Sequence, residues 1–111
     1  MDDDFHSGPA QAARWKAERL CRAVSETLSL ALSGSGEEAL LDVSVRDVRP
    51  LGDLSQLQVT IGIAPTADPV AVVSALGRAQ GYLRGEIASA IRRKRVPGLV
   101  FRLAAPEEGV P

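Results

Sequence analysis

The 111-residue chain is predicted to fold as one α+β domain, a three-stranded sheet packed on helices, in the order helix, strand, strand, helix, helix, strand. Three observations predict it. Apolar residues recur at three-and-four spacing over 9–32 and again over 69–91, as on the buried stripe of a helix. Apolar and polar residues alternate over 41–45 and 57–63, as in half-buried strands. Gly, Pro and Ser separate these patterns at 33–36, 50–53, 64–67 and 97–98.

In the first helix, residues 9–32, Ala13, Ala17, Leu20, Val24, Leu28 and Ala31 or Leu32 share one face. Arg14, Lys16, Arg19 and Arg22 take other positions of its first half, giving the helix a basic flank. Glu18 lies four residues from Arg14 and Arg22, the spacing at which opposite charges on a helix meet. Trp15 is expected to pack, partly buried; beside these cations its alternative use is to stack on a base or sugar. Ser33-Gly34-Ser35-Gly36 ends the helix, and Glu37 to Leu41 begins the next element.

Leu41-Asp42-Val43-Ser44-Val45 alternates as a strand does, and Arg46-Asp47-Val48 shifts the phase as a bulge would. Pro50-Leu51-Gly52-Asp53 then turns the chain into Leu57-Gln58-Val59-Thr60-Ile61-Gly62-Ile63, so the two strands pair as a hairpin. Their apolar residues face the helices, and Gln56, Gln58 and Thr60 point to the other side. Leu99-Val100-Phe101-Arg102-Leu103 supplies a third strand.

Between the hairpin and that strand, Asp68 suits a helix cap because its carboxylate accepts from free N–H groups, and Pro69 suits the first helical position because it has no N–H to lose. Val70, Val73, Ala75 and Leu76, then Tyr82, Leu83, Ile87, Ala90 and Ile91, form the expected buried stripe. Gly77 and Gly81 interrupt it, each at a cost of about 1 kcal/mol relative to alanine. Two helices meeting at a kink over Ala79-Gln80-Gly81 are therefore expected. The second ends in Arg92-Arg93-Lys94-Arg95, favoured by the negative end of the helix dipole, and Pro97-Gly98 stops it. Those four cations read equally as a solvated helix end or as a contact for RNA phosphates.

The formal charge of −1 hides a division along the chain. All 13 Lys and Arg lie between Arg14 and Arg102 with nine of the 14 acids, so that body carries +4, while five acids occupy the ends. A basic body attracts polyanions, and acidic tails aid solubility or screen the basic face. Residues 1–8 and 104–111 are expected to be disordered tails around a domain spanning 9–103. A single cysteine, Cys21, excludes an internal disulfide and is expected to be a partly buried thiol in a reducing cytoplasm. The sequence has neither an apolar run of membrane-spanning length nor a basic leader at its start, so no membrane association is expected. His6 has no second histidine, cysteine or nucleophile at a catalytic spacing, and the chain shows no P-loop, metal spacing, paired-carboxylate site or nucleophile elbow. The expectation is a binding protein without catalytic residues, metal, cofactor or small-molecule substrate.

Several stretches resemble the ribosome-binding factor A family: the opening helix, Val43-Ser44-Val45-Arg46-Asp47-Val48 with Asp53-Leu54-Ser55, Gln58-Val59-Thr60-Ile61, Ala79-Gln80-Gly81-Tyr82-Leu83-Arg84, and Arg95-Val96-Pro97-Gly98-Leu99-Val100-Phe101. The resemblance runs from about Arg14 to Leu103. It implies a fold similar to type II KH domains, with the Ala-x-Gly kink in place of a Gly-x-x-Gly loop. It also implies a monomer that binds immature small ribosomal subunits near the 5′ end of 16S rRNA and the neck, assists late maturation and rRNA processing, and leaves, with a GTPase involved, before translation. On that reading Arg78, Arg84 and Arg92, Arg93, Lys94 and Arg95 hold phosphates, Gln80 bonds a ribose or base edge, and Gly81 admits the RNA backbone. Arg14, Lys16, Arg19, Arg22 and Arg46 form a second group of candidates. The chain departs from the family at Gly36-Glu37-Glu38-Ala39-Leu40, where an Asp-Pro-Arg-Leu-like segment is usual, losing a cation and gaining acids. Two alternatives share the basic face: a general KH-like RNA-binding module, and a protein-interaction module using a sheet edge or the first helix.

Overall fold

The structure is a computed structural model and describes residues 8–104. Helix α1 (Gly8–Ser33) leads through a 3-10 turn at Glu38–Leu40 into strands β1 (Ser44–Leu51) and β2 (Asp53–Gly62). Helix α2 (Pro69–Ala90) and strand β3 (Gly98–Leu103) follow. The α+β, KH-like class is the one expected. The expected tails lie almost wholly outside the described residues; of their members, Gly8 opens α1, and the Ala104 amide donates to the Ile61 carbonyl at 2.8 Å.

β1 and β2 pair antiparallel, and β3 adds to β2 in parallel, giving the order β1-β2-β3. The register slips between Val45 and Asp47, where the change of alternation predicts a bulge. Gly52 turns the hairpin at φ +80°, a conformation that L side chains rarely adopt. Asp53 tightens that turn by accepting from the Ser55 amide at 2.8 Å and the Ser55 hydroxyl at 2.5 Å, which hold its carboxyl below the ordinary value. Leu57, Val59 and Ile61 point into the core from β2, while Gln56 is exposed and Gln58 and Thr60 are half-buried. β1 starts three residues later than expected: Leu40 is buried in the 3-10 turn and Leu41 is left outside.

Where the glycines predict two helices, the chain forms α2 unbroken across Ala79-Gln80-Gly81. Asp68 caps it, accepting from the Val70 amide at 3.0 Å, with Pro69 in the first turn. Its buried stripe is Val72, Ala75, Leu76, Ala79, Leu83 and Ile87, with steps of three, one, three, four and four through the expected break. The glycines lie on the opposite, exposed face, so their propensity cost is outweighed by continuous packing on the sheet and α1. The same phase puts Val70, Val73, Tyr82 and Ala90, all expected inside, on the surface.

α2 also ends earlier than expected. Its last capping bond runs from the Ile91 amide to the Ile87 carbonyl at 2.9 Å, and Ile91 itself is extended. Another turn would carry Lys94, seven residues after Ile87, to the azimuth that faces the core. A buried unpaired ammonium is costly, so the chain leaves the helix and Arg92-Arg93-Lys94-Arg95 form an exposed loop instead of a last turn. Buried Pro97 and Leu99 re-enter the core beyond it.

On α1 the predicted face is buried from Leu20 onward through Val24, Leu28, Ala31 and Leu32. Its first turns run past the core: Ala13 is exposed, Ala17 half-buried, and Trp15, expected to pack, is 52% exposed. No described helix is long and apolar enough to cross a membrane.

Candidate nucleic-acid interface

The early end of α2 and the overhang of α1 create one cleft. Its walls are Lys16 and Arg19 from α1 and Arg92, Arg93, Lys94 and Arg95 from the α2–β3 loop, and its floor is Leu20, Ala23, Ala90 and Ile91. The volume is about 740 Å³, and among the described residues no carboxylate lines it. Six of the 13 Lys and Arg of the chain thus converge from two segments far apart in sequence. Each wall has its own reason. Three-residue spacing puts Lys16 and Arg19 on one side of α1, and the loop cations are excluded from the core by charge. The C-terminus of α2 also points its free carbonyls toward the loop, which favours cations there.

Cations of both groups predicted from the sequence meet here, but not all of them. Arg14 and Arg22 lie elsewhere on α1, exposed and outside the cleft. Arg46 lies across Gly62 on the sheet: a Cβ at Gly62 would stand 2.5 Å from the arginine Nε and 3.1 Å from Cγ and from the Ser44 Oγ. Arg84 and Gly81 are exposed on the outer face of α2, and Gln80 lines a separate groove of about 240 Å³ with Val73, Leu76, Gly77, Leu99, Phe101 and Leu103. Ala79, predicted as part of a kink, is a core residue.

Arg78 has a protein partner. Its Nη2 donates to the Glu37 Oε1 at 2.8 Å and its Nε to both carboxylate oxygens at 3.2 Å. These bonds lower the Glu37 carboxyl pKa and raise that of the Arg78 guanidinium. Among the described residues the other ion pair is Arg49 with Asp47 at 2.6 Å, so Glu18 pairs with neither Arg14 nor Arg22.

The apolar floor is not apparent as part of a site in the sequence, where Leu20 and Ile91 read only as core. The available signal is that each stands at the end of its helix's buried stripe with cations immediately beyond.

A family model, described as ribosome-binding factor A, matches residues 13–108, nearly the whole chain. The chain belongs to the ribosome-binding factor A family. A ribosome-binding factor A from Coprothermobacter proteolyticus is 30% identical over 89 residues, covering 79% of this chain and 65% of its own length, so this chain spans just under two thirds of that relative. The crystal structure of ribosome-binding factor A from Thermus thermophilus has the same fold, with a TM-score of 0.70 at 24% identity over 78% of this chain and 94% of that one. A Thermus thermophilus ribosome binding factor A homology model, fitted into a cryo-EM map of a 30S complex, aligns with a TM-score of 0.59 at 26% identity, covering 78% of this chain and 89% of that one. The cleft between α1 and the α2–β3 loop is where this chain concentrates its exposed cations.

Proposed function

We propose that this protein is a monomeric, cytoplasmic assembly factor that binds the immature small ribosomal subunit through 16S rRNA and assists late maturation and rRNA processing, without catalysis. The observation that carries the reading is the cleft itself: six cations from two segments around one concavity that no carboxylate of the described residues lines. Such a surface binds RNA by neutralising phosphates and releasing their counterions, and it reads shape rather than a base code. Arg84, Gln80 and Gly81 offer a second line of contact along the outer face of α2, and Arg14, Arg22 and Arg46 a peripheral one. Arg78 contributes only when Glu37 releases it. Family membership and the 30S complex of the Thermus relative support the choice of partner.

Sedimentation of lysate through sucrose gradients at low and high salt tests the proposal. The protein is expected with free small subunits and absent from translating ribosomes. If the cleft neutralises about six phosphates, affinity should fall about a thousandfold between roughly 50 and 200 mM salt. Replacing Arg92, Arg93, Lys94 and Arg95 together by glutamate should abolish association while the circular dichroism spectrum stays unchanged. Wild-type protein remaining at the top of the gradient at both salt concentrations, with free subunits abundant, would replace this reading by a general RNA-binding module. Undiminished association of the charge-reversed variant would remove the cleft from it.

A further inference from the structure

Neither the floor of the cleft nor the exposed indole of Trp15, which is not among the residues lining the cleft but neighbours Lys16 on α1, is explained by phosphate binding. A duplex laid across the cations would touch only the rim, since its bases are already stacked and paired. Yet the concavity reaches down to Leu20 and Ile91, and Trp15 stands on α1 next to Lys16 and one turn before Arg19, 52% exposed. A large aromatic face beside a basic track with an apolar bottom is the arrangement that holds unpaired nucleotides, with bases on the aromatic and apolar surfaces and phosphates on the cations. We infer that the cleft takes a single-stranded RNA segment and that Trp15 is a stacking platform for one of its bases. This inference rests on the proposed RNA-binding role of the cleft and specifies the form of RNA it accepts.

Geometry favours this over a lipid surface. An interfacial helix presents a continuous apolar face to the bilayer, whereas the apolar face of α1 is committed to the core from Leu20 onward, and from Gln11 to Arg19 only the small side chains of Ala12, Ala13 and Ala17 accompany Trp15.

Trp15 is the only tryptophan in the chain, so its fluorescence reports the site directly. The whole protein would be titrated with an oligoadenylate of about eight nucleotides, a site size within the single-strand range. Parallel titrations would use an RNA duplex of the same length, inorganic polyphosphate, and vesicles of phosphatidylserine and phosphatidylcholine, with binding measured independently by filter retention or co-sedimentation. Oligoadenylate is expected to bind and quench the indole, polyphosphate to bind without quenching, and the duplex to quench far less than the single strand. Trp15→Ala should weaken oligoadenylate binding about tenfold or more and leave polyphosphate binding unchanged, and Trp15→Phe should recover most of the loss. Binding of oligoadenylate without quenching, or with equal affinity in Trp15→Ala, would overturn the stacking role while leaving the cationic cleft in place. A blue shift on vesicles with no response to oligoadenylate would assign Trp15 to a lipid surface instead. If no polyanion binds at all, the cleft itself fails, and the inference falls with the function proposed for it.

Discussion

Arg78 and Glu37, 41 residues apart, close a forked ion pair in which the guanidinium meets both carboxylate oxygens. The contact ties the middle of α2 to the connection between α1 and β1. An arginine fork fits a carboxylate or a phosphate equally well, so Glu37 occupies the guanidinium that the proposed RNA-binding role would offer to a phosphate.

The pair sets a pH dependence. Because the Arg78 bonds lower the Glu37 carboxyl pKa, the stabilisation it lends is complete above the carboxyl's unfolded value and is lost as pH falls through the folded one. Thermal denaturation at neutral pH should show a small loss of Tm in Glu37→Gln. That difference should vanish in acid and at roughly 1 M salt, where the Debye length is about 3 Å. The variant also frees Arg78, so RNA affinity should rise and its salt dependence steepen; an unchanged salt slope would mean that Arg78 serves only the fold.

Gly81 is exposed, has no neighbour within 4 Å of a would-be Cβ, and lies within an unbroken helix. Gly81→Ala should therefore stabilise the protein by about 0.5–1 kcal/mol, raising Tm by several degrees in a domain of this size. If the RNA backbone approaches this face closely, the same variant binds small subunits more weakly despite being more stable. Measuring Tm and gradient association on one preparation separates the two effects. A fall in Tm would show that the helix needs glycine here for its own sake.

Cys21 is half-buried on α1 against the core, and burial together with the nearby Asp47 carboxylate raises its thiol above the ordinary value. Alkylation by iodoacetamide at neutral pH should be slower than that of a free thiol and should accelerate only in alkaline solution or on unfolding. Reaction as fast as glutathione's would mean that α1 opens readily.

The sequence alone determined the α+β class and the succession of strands and helices apart from the expected break in α2, together with the hairpin and its bulge, the Asp68-Pro69 start of α2, the basic body of the chain and the family. These are local matters: alternation, three-and-four spacing, capping chemistry and turn residues act within a few positions of one another. Charge sums survive folding unchanged. What sequence reading could not decide was the azimuth of each helix against the sheet. One choice of phase made Gly81 a break and buried Val73 and Tyr82. The packed structure chose another, in which Leu76, Ala79 and Leu83 run continuously into the core and the glycines face out. The site followed from that choice. Ending α2 at Ala90 released four cations into a loop, and packing α1 beside it brought Lys16 and Arg19 to the same cleft, while Arg78 went to Glu37. Such convergences join residues far apart in the chain, so only tertiary packing, which weighs burial of every stripe against every other, could place them.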